Sequence, residues 1–398
     1  MTSPARAVAR LRLVPMQPRD PHEPHRAAST LELFFDLVFV VAVSTAAVQL
    51  HHALTEGHVV HGIGMFAIAF FAIWWAWMNF TWFATSFDTD DWLYRLLTIV
   101  QMSGVLVLAA GIPPMFEDDF RIAVAGYIVM RLAMVAQWLR ASRHAGALRS
   151  TALRYAGGIA LAQVLWIVAL FLPREALLVA IIVLVCAELA VPVIAESART
   201  TPWHPHHITE RYGLFTLIVL GESLLTSANA IIEALHDTEN VTPLIGVAAL
   251  TLIVTASLWW IYFWPPHHSA IRGLRNSLGY GYGHYVILAA AAAFSAGIEV
   301  EIDVLQGKSH LHAPWASFAY TVPIAVFILG VWLVAIRRRA DRIVNAVVPL
   351  GAMLVLIDPL IPVPIALTAV ILVAVVAVLV WRTPKSTTAN TPEVGAED

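Results

Sequence analysis

Apolar residues run along the chain in blocks of about twenty, separated by short polar joints, without the sustained alternation of a half-buried strand. Twelve blocks can be counted, at about 31–50, 60–85, 92–112, 120–140, 151–171, 175–195, 208–232, 243–264, 279–299, 315–336, 343–360 and 362–381. Each approaches the roughly 20 residues that carry a helix across a bilayer. The last two are joined by a very short turn crowded by Pro359, Pro362 and Pro364. The pattern predicts an all-α polytopic membrane protein with about twelve transmembrane helices.

The basic residues alternate with these blocks. With the N-terminus inside, 20 of the 24 Lys and Arg fall on the cytoplasmic side, in the N-terminal tail and in alternate loops. Only Arg121, Arg174 and Lys308 fall opposite, and Arg131 lies within a block. That bias is the topological signal of a membrane protein, and it predicts cytoplasmic N- and C-termini.

A duplication is also expected. Trp74-Trp75 in the second block is echoed by Trp259-Trp260 in the eighth, as if two parallel six-helix repeats followed one another. The division reads as a disordered basic cytoplasmic tail (1–29), a first six-helix half (30–196), a second half (204–382) and a polar C-terminal tail (383–398). No apolar core of signal-peptide type precedes the first block.

Composition narrows the chemistry. Of 398 residues 59% are hydrophobic and only 13% charged, with a mean hydropathy of +0.74. One cysteine, Cys186, rules out a disulfide framework or thiolate metal cluster. Both lysines, Lys308 and Lys385, fall outside the blocks, which excludes a buried retinal Schiff base. A net charge of −3 without aromatic-interleaved basic runs gives no case for nucleic acid. No phosphate loop, nucleophile elbow or HExxH occurs, so neither an enzyme nor a cofactor is expected.

Charges inside the blocks are the candidate chemistry, since an ionised side chain at mid-bilayer costs roughly 2.5–3.5 kcal/mol on insertion scales. In the seventh block Glu222, Thr226, Asn229 and Glu233 share a stripe, with Arg211 on the same side near the inner end. Glu222 is the leading ion or proton site, with a neutral or Arg-paired structural carboxyl as the alternative. Asp36 precedes Trp74 by nearly the spacing that separates Glu222 from Trp259, which makes it the counterpart acid of the first half. Its shallower depth argues against that pairing. Glu32 sits where a helix capped by Ser29 or Thr30 would place the third position of a capping box. Arg131 and Glu188 are expected to form a supporting ion pair, because a buried guanidinium keeps its proton.

Three weaker patterns remain. His206 and Glu210 stand one turn apart, as metal ligands would, but a solvated helix start is the stronger expectation. His51, His52, His58 and His61 gather in the first outer loop as a candidate pH or metal cluster. GYGYG at 279–283 resembles a potassium filter, yet it lies on the wrong side and runs straight into a helix.

Three stretches, LELFFDLVFVVAV, WWAWMNFTWFATSFDTDDWLYR and HITERYGLFTLIVLGESLL, together resemble the bacterial low temperature requirement protein A (LtrA) family. The resemblance extends from residue 29 to about 381. It implies a multi-pass protein of the bacterial cytoplasmic (inner) membrane, named from a cold-growth phenotype, without implying a molecular activity. Its family-motif residues here are Glu32, Asp36, Asp88, Asp90, Asp91, Arg95, Glu210, Arg211 and Glu222. The leading expectation is a secondary transporter, with the proton as candidate coupling ion and a small solute or cation as cargo. A cation channel and a non-transporting sensor or scaffold linked to stress or cold growth are the rivals. The expected partners are the lipid bilayer and that solute, with no metal.

Overall fold

The computed structural model describes residues 13–24, 26–236, 242–271, 273–361 and 365–382, apart from the side chains of Arg174, Glu233, Ala234 and His236. All the regular structure among them is helical. The helices are α1 (Thr30–Thr55), α2 (Val59–Phe87), α3 (Trp92–Phe116), α4 (Arg121–Ser142), α5 (Arg149–Ala169) and α6 (Arg174–Glu196). They continue as α7 (Pro205–His236), α8 (Thr242–Phe263), α9 (Leu274–Leu305), α10 (Trp315–Val331), α11 (Arg342–Ile357) and α12 (Ala366–Trp381). Eleven of the described helical stretches are long and apolar enough to cross a membrane, and α12 is a shorter apolar helix. The polytopic membrane reading therefore holds. The tight turn at 362–364 and the polar tail from 383 lie outside the described residues.

Neighbouring helices pair in an order that recurs. In the first half α1 packs on α2 and α3, α3 on α4, α4 on α5 and α5 on α6. In the second, α7 packs on α8 and α9, α9 on α10, α10 on α11 and α11 on α12. The tightest pairs, α3 with α4 and α9 with α10, cross at small residues. A Cβ at Gly104 would lie 2.8 Å from the Gly126 carbonyl oxygen, and one at Gly297 would overlap the Ala319 backbone. Without lipid-excluded hydrophobic drive, such close backbone approach is what holds membrane helices together. The halves meet where α1 and α2 pack on α7 and α9.

The tryptophan pairs do not occupy matching surroundings. Trp74 and Trp75 are buried halfway along α2, whereas Trp259 and Trp260 are exposed close to the end of α8. The GYGYG run is continuous helix within α9.

Residues 13–24 and 26–29 fold against the helix ends on the face that carries the Arg-rich loops, the basic face, where a disordered tail was expected. Met16 is fully buried, and the Arg19 N–H donates to the Ser86 carbonyl at 2.9 Å. Arg26 reaches Asp88 at 3.5 Å. Asp91 caps α3 by accepting from the Tyr94 N–H at 2.9 Å. The same carboxylate accepts from Arg140 on α4 and from the Val14 N–H at 2.9 Å, while Arg140 donates to the Val14 carbonyl at 2.9 Å. One acid thus ties the strap, a helix start and a neighbouring helix together.

Burial works against the Asp91 charge, but the Arg140 hydrogen bonds and the two N–H donors outweigh it and hold the carboxyl below its usual range. A carboxyl depressed in the folded state stabilises above its unfolded pKa and loses that contribution as pH falls through its folded one. The strap is therefore expected to stay docked above about pH 4 and to release in stronger acid. Limited proteolysis at Arg19 should be slow in the wild type at pH 7 and pH 5 and fast in Asp91→Asn at both. Equal cleavage of the two proteins would contradict the anchoring role.

Candidate functional site

The first-block and seventh-block motifs meet in the interior near the basic face. Ser29 and Glu32 complete the expected capping box, the Ser29 N–H donating to Glu32 at 2.8 Å. The helix they start turns Asp36 to the same side one turn later, and both carboxylates face α7. Arg211 answers them: Nη1 donates to Glu32 at 2.9 Å, and Nε and Nη2 donate to the two Asp36 oxygens at 3.0 and 2.6 Å. Trp77 on α2 adds its indole N–H to Asp36 at 2.6 Å, and the His207 ring lies 3.1 Å from Glu32. Glu32, Asp36, His207 and Arg211 are all 0% exposed. Arg211, expected near the inner end of the seventh block on the Glu222 side, is fully buried, α7 beginning at Pro205 and carrying it inward.

Asp36 and Glu222 do not meet. Asp36 sits at the level of Arg211, and Glu222, eleven residues further along α7, accepts from Ser44 of α1 at 2.6 Å. At 1.5 Å per residue that is a separation of about 16 Å along the helix. The depth conflict noted in the sequence is thus real.

Beyond Glu222 a polar column runs between α1, α7 and α9 towards the opposite face. Thr226 donates to Glu299 at 3.0 Å and lies 3.3 Å from Ser295. His51 bridges Glu299 at 2.8 Å and Asp303 at 2.6 Å, and Thr55 donates to Asp303 at 3.3 Å. The Asp303, His51 and Glu299 side chains are 18%, 14% and 19% exposed, and Thr226 and Glu222, deeper along the column, are 9% exposed. Among the described residues Glu222 has no ion-pair partner. Asn229, two turns from Glu222 on the same stripe of α7, is exposed, and the Glu233 side chain lies outside the described residues.

Glu299 and Asp303 were missed because α9 continues beyond its apolar block, to Leu305, so Glu299 read as the last residue of the block and Asp303 as loop. Their signal was i,i+4 spacing on a helix that had not ended. The outer histidines disperse accordingly: His51 joins the column, His61 faces the Phe116 carbonyl at 2.8 Å, and His58 lies near Glu56. At the inner end His206 stacks on His268, and Glu210 accepts from the Ala28 N–H at 3.2 Å. Among the described residues no group of three or more His, Cys, Asp or Glu could hold a metal ion.

Arg131 and Glu188 form a buried pair at 2.9 Å. Glu188 also accepts from Trp75 at 2.9 Å, Tyr127 at 3.0 Å and Gln163 at 3.3 Å, so its oxygens are fully engaged within the first half. Asn79 bonds back to the Trp75 carbonyl of its own helix, and among the described residues the Gln101 amide nitrogen has no partner. Of the remaining motif acids, Asp90 pairs with Arg95 at 2.7 Å in an exposed loop, while Asp88 faces Arg19 and Arg26 of the strap.

Removing Arg211 would leave two buried carboxylates sharing a site without a cation, a change that typically costs about 3–5 kcal/mol. Arg211→Gln should therefore lower the melting temperature in detergent far more than Arg95→Gln, whose exposed pair is worth about 0–1 kcal/mol. Similar melting of the two variants would contradict the clamp.

With this geometry in place, comparison with known proteins becomes informative. The bacterial low temperature requirement A protein (LtrA) family matches residues 27–381, nearly all of the helical chain. An uncharacterized protein of Rhizobium meliloti (strain 1021) is 32% identical over 246 residues, covering 59% of this chain and 58% of that protein. All three motifs lie within the family match, and their charged residues build the Arg211 cluster, the Asp91 anchor and Glu222. The chain belongs to the bacterial low temperature requirement A protein family.

Proposed function

We propose that this protein is a secondary transporter of the bacterial inner membrane, coupled to protons or another small cation, with Glu222 as the ion site. The carrying observation is the polar column from Asp303 through His51, Glu299 and Thr226 to Glu222. Lipid offers no hydrogen bonds, so a file of polar groups at membrane depth needs protein or water around it. Three carboxyls against one imidazole favour a cation. Thr226, which donates to Glu299, stands one turn from Glu222 on α7, a gap that bridging water can span.

The basic side is shut. Arg211, Glu32 and Asp36 fill the space between α1 and α7 with no exposure at all. A polar path that reaches Glu222 from one face and is sealed towards the other fits one state of an alternating-access carrier better than an open channel. The recurring packing order supports two parallel six-helix halves, and the clustered arginines support placing both termini in the cytoplasm. Arg131–Glu188 then braces the first half rather than carrying ions.

Liposomes holding the purified protein and a pH dye, given imposed H⁺, Na⁺ and K⁺ gradients, test the reading. Wild type should carry a cation-dependent flux, and Glu222→Gln should reduce it at least tenfold without loss of folded protein. Undiminished flux in Glu222→Gln would overturn the site. Silence from folded wild type under every gradient would overturn transport and favour a sensor.

A further inference from the structure

At the mouth of the polar column His51 lies between two acids, with Nδ1 2.8 Å from Glu299 Oε2 and Nε2 2.6 Å from Asp303 Oδ2. A neutral imidazole carries a proton on one ring nitrogen and a bare lone pair on the other. Here the bare nitrogen would face a carboxylate oxygen at hydrogen-bonding distance with no proton between them. Two ring nitrogens against two carboxylates therefore call for two N–H donors, and the ring that supplies them is an imidazolium. One positive ring then stands against two negative groups.

The helices give this ring a direction. α9 runs away from the basic face, so Asp303 is the outer acid and Glu299 lies one turn deeper. Nε2 thus meets the outer acid and Nδ1 the inner one. The other oxygen of Glu299, Oε1, accepts from Thr226, one turn along α7 from Glu222. The partly exposed His51 side chain is within reach of water at that face. Of the other charged and titratable groups nearby, the His52 ring stands 5.2 Å from the His51 ring, and Lys308, just beyond α9, acts on Asp303. His58 and His61 turn elsewhere, to Glu56 and to the Phe116 carbonyl.

We propose that His51 makes the column selective for protons, taking the coupling proton at the mouth and passing it inward while its charge keeps metal cations out. The inference rests on the transport reading of the column. The imidazolium gives its Nδ1 proton to Glu299 Oε2, and the neutral ring keeps its Nε2–H on Asp303. Glu299, now a carboxylic acid, passes a proton by way of bridging water beside Thr226 to the Glu222 carboxylate and regains its charge. Water at the outer face returns a proton to the ring, so one proton enters for each that reaches Glu222. Na⁺ or K⁺ has no such route, because it must first displace a tethered cation that already compensates one of the two carboxylates.

The test compares His51→Lys and His51→Gln with the full-length wild type in liposomes under H⁺, Na⁺ and K⁺ gradients. Lysine keeps a cation between Glu299 and Asp303 but holds its proton near neutral pH, so it preserves the bridge and stops the relay. Proton-driven flux should fall roughly tenfold or more in both variants. Wild type and His51→Lys should carry neither Na⁺ nor K⁺, whereas His51→Gln, without the tethered cation, should carry them. Nitrogen-15 spectra of the histidine-labelled protein, with the His51 signals assigned by their loss in His51→Gln, should show both ring nitrogens protonated at neutral pH. A neutral His51 ring, wild-type proton flux in His51→Lys, or Na⁺ or K⁺ flux in the wild type would overturn the inference and leave Glu222 as an ion site. Silence from folded wild type under every gradient would instead overturn the transport reading, and the inference with it.

Discussion

The fold depends on one guanidinium. Arg211 lies where water does not reach, and among the described residues its charge is compensated by the pair of carboxylates that α1 presents at positions 32 and 36. Desolvating three charges is expensive, and the attraction offsets it only with good geometry and further hydrogen bonds. Both are present, in the fork onto Asp36 and in the Ser29 and Trp77 donors. Displacing α1 along α7 by one residue would turn the carboxylates away from the guanidinium. The clamp therefore fixes the register between the first helix of each half.

That register determines what lies deeper. With Asp36 opposite Arg211, Ser44 falls opposite Glu222, and His51 reaches the end of α9 beside Glu299 and Asp303. The same helix pair is thus sealed by ions at one end and lined with titratable groups at the other. A protein that only needed rigidity would use the Arg131–Glu188 solution, in which every acceptor is taken. The column leaves Glu222 with a single hydroxyl donor among the described residues, and that difference separates the brace from the candidate ion site.

The helices were legible because hydropathy and the arginine bias depend on lipid and membrane polarity rather than on packing. The capping box and the Arg131–Glu188 pair were legible for equally local reasons: a fixed spacing in one case, a shortage of deep partners in the other. Arg211 was read near the inner end of its block, but its burial and its pairing with Glu32 and Asp36 were not, because position in an apolar block does not report how far the helix extends before it. Its helix starts at Pro205, three residues before the apolar block. Asp303 was lost at the far end of α9, where the helix outruns its block, and Glu299 was read only as the end of that block. The strap lacked any periodic signal, since its attachment rests on isolated groups such as Met16 and the Val14 backbone. The tryptophan echo misled in detail, because a dipeptide match carries no information on depth.

The most direct measurement concerns which face reaches Glu222. In a Cys186→Ser background, Thr226→Cys places a thiol one turn from Glu222 on the column side of α7, and a membrane-impermeant methanethiosulfonate can be applied to each face in turn. An Arg338→Cys protein, its thiol in the basic loop, identifies the basic face. The account predicts that Thr226→Cys is modified from the face opposite Arg338 and protected from the face that modifies Arg338→Cys. Modification from the basic face, or from neither, would contradict a path open to Glu222 on one side and closed by Arg211 on the other.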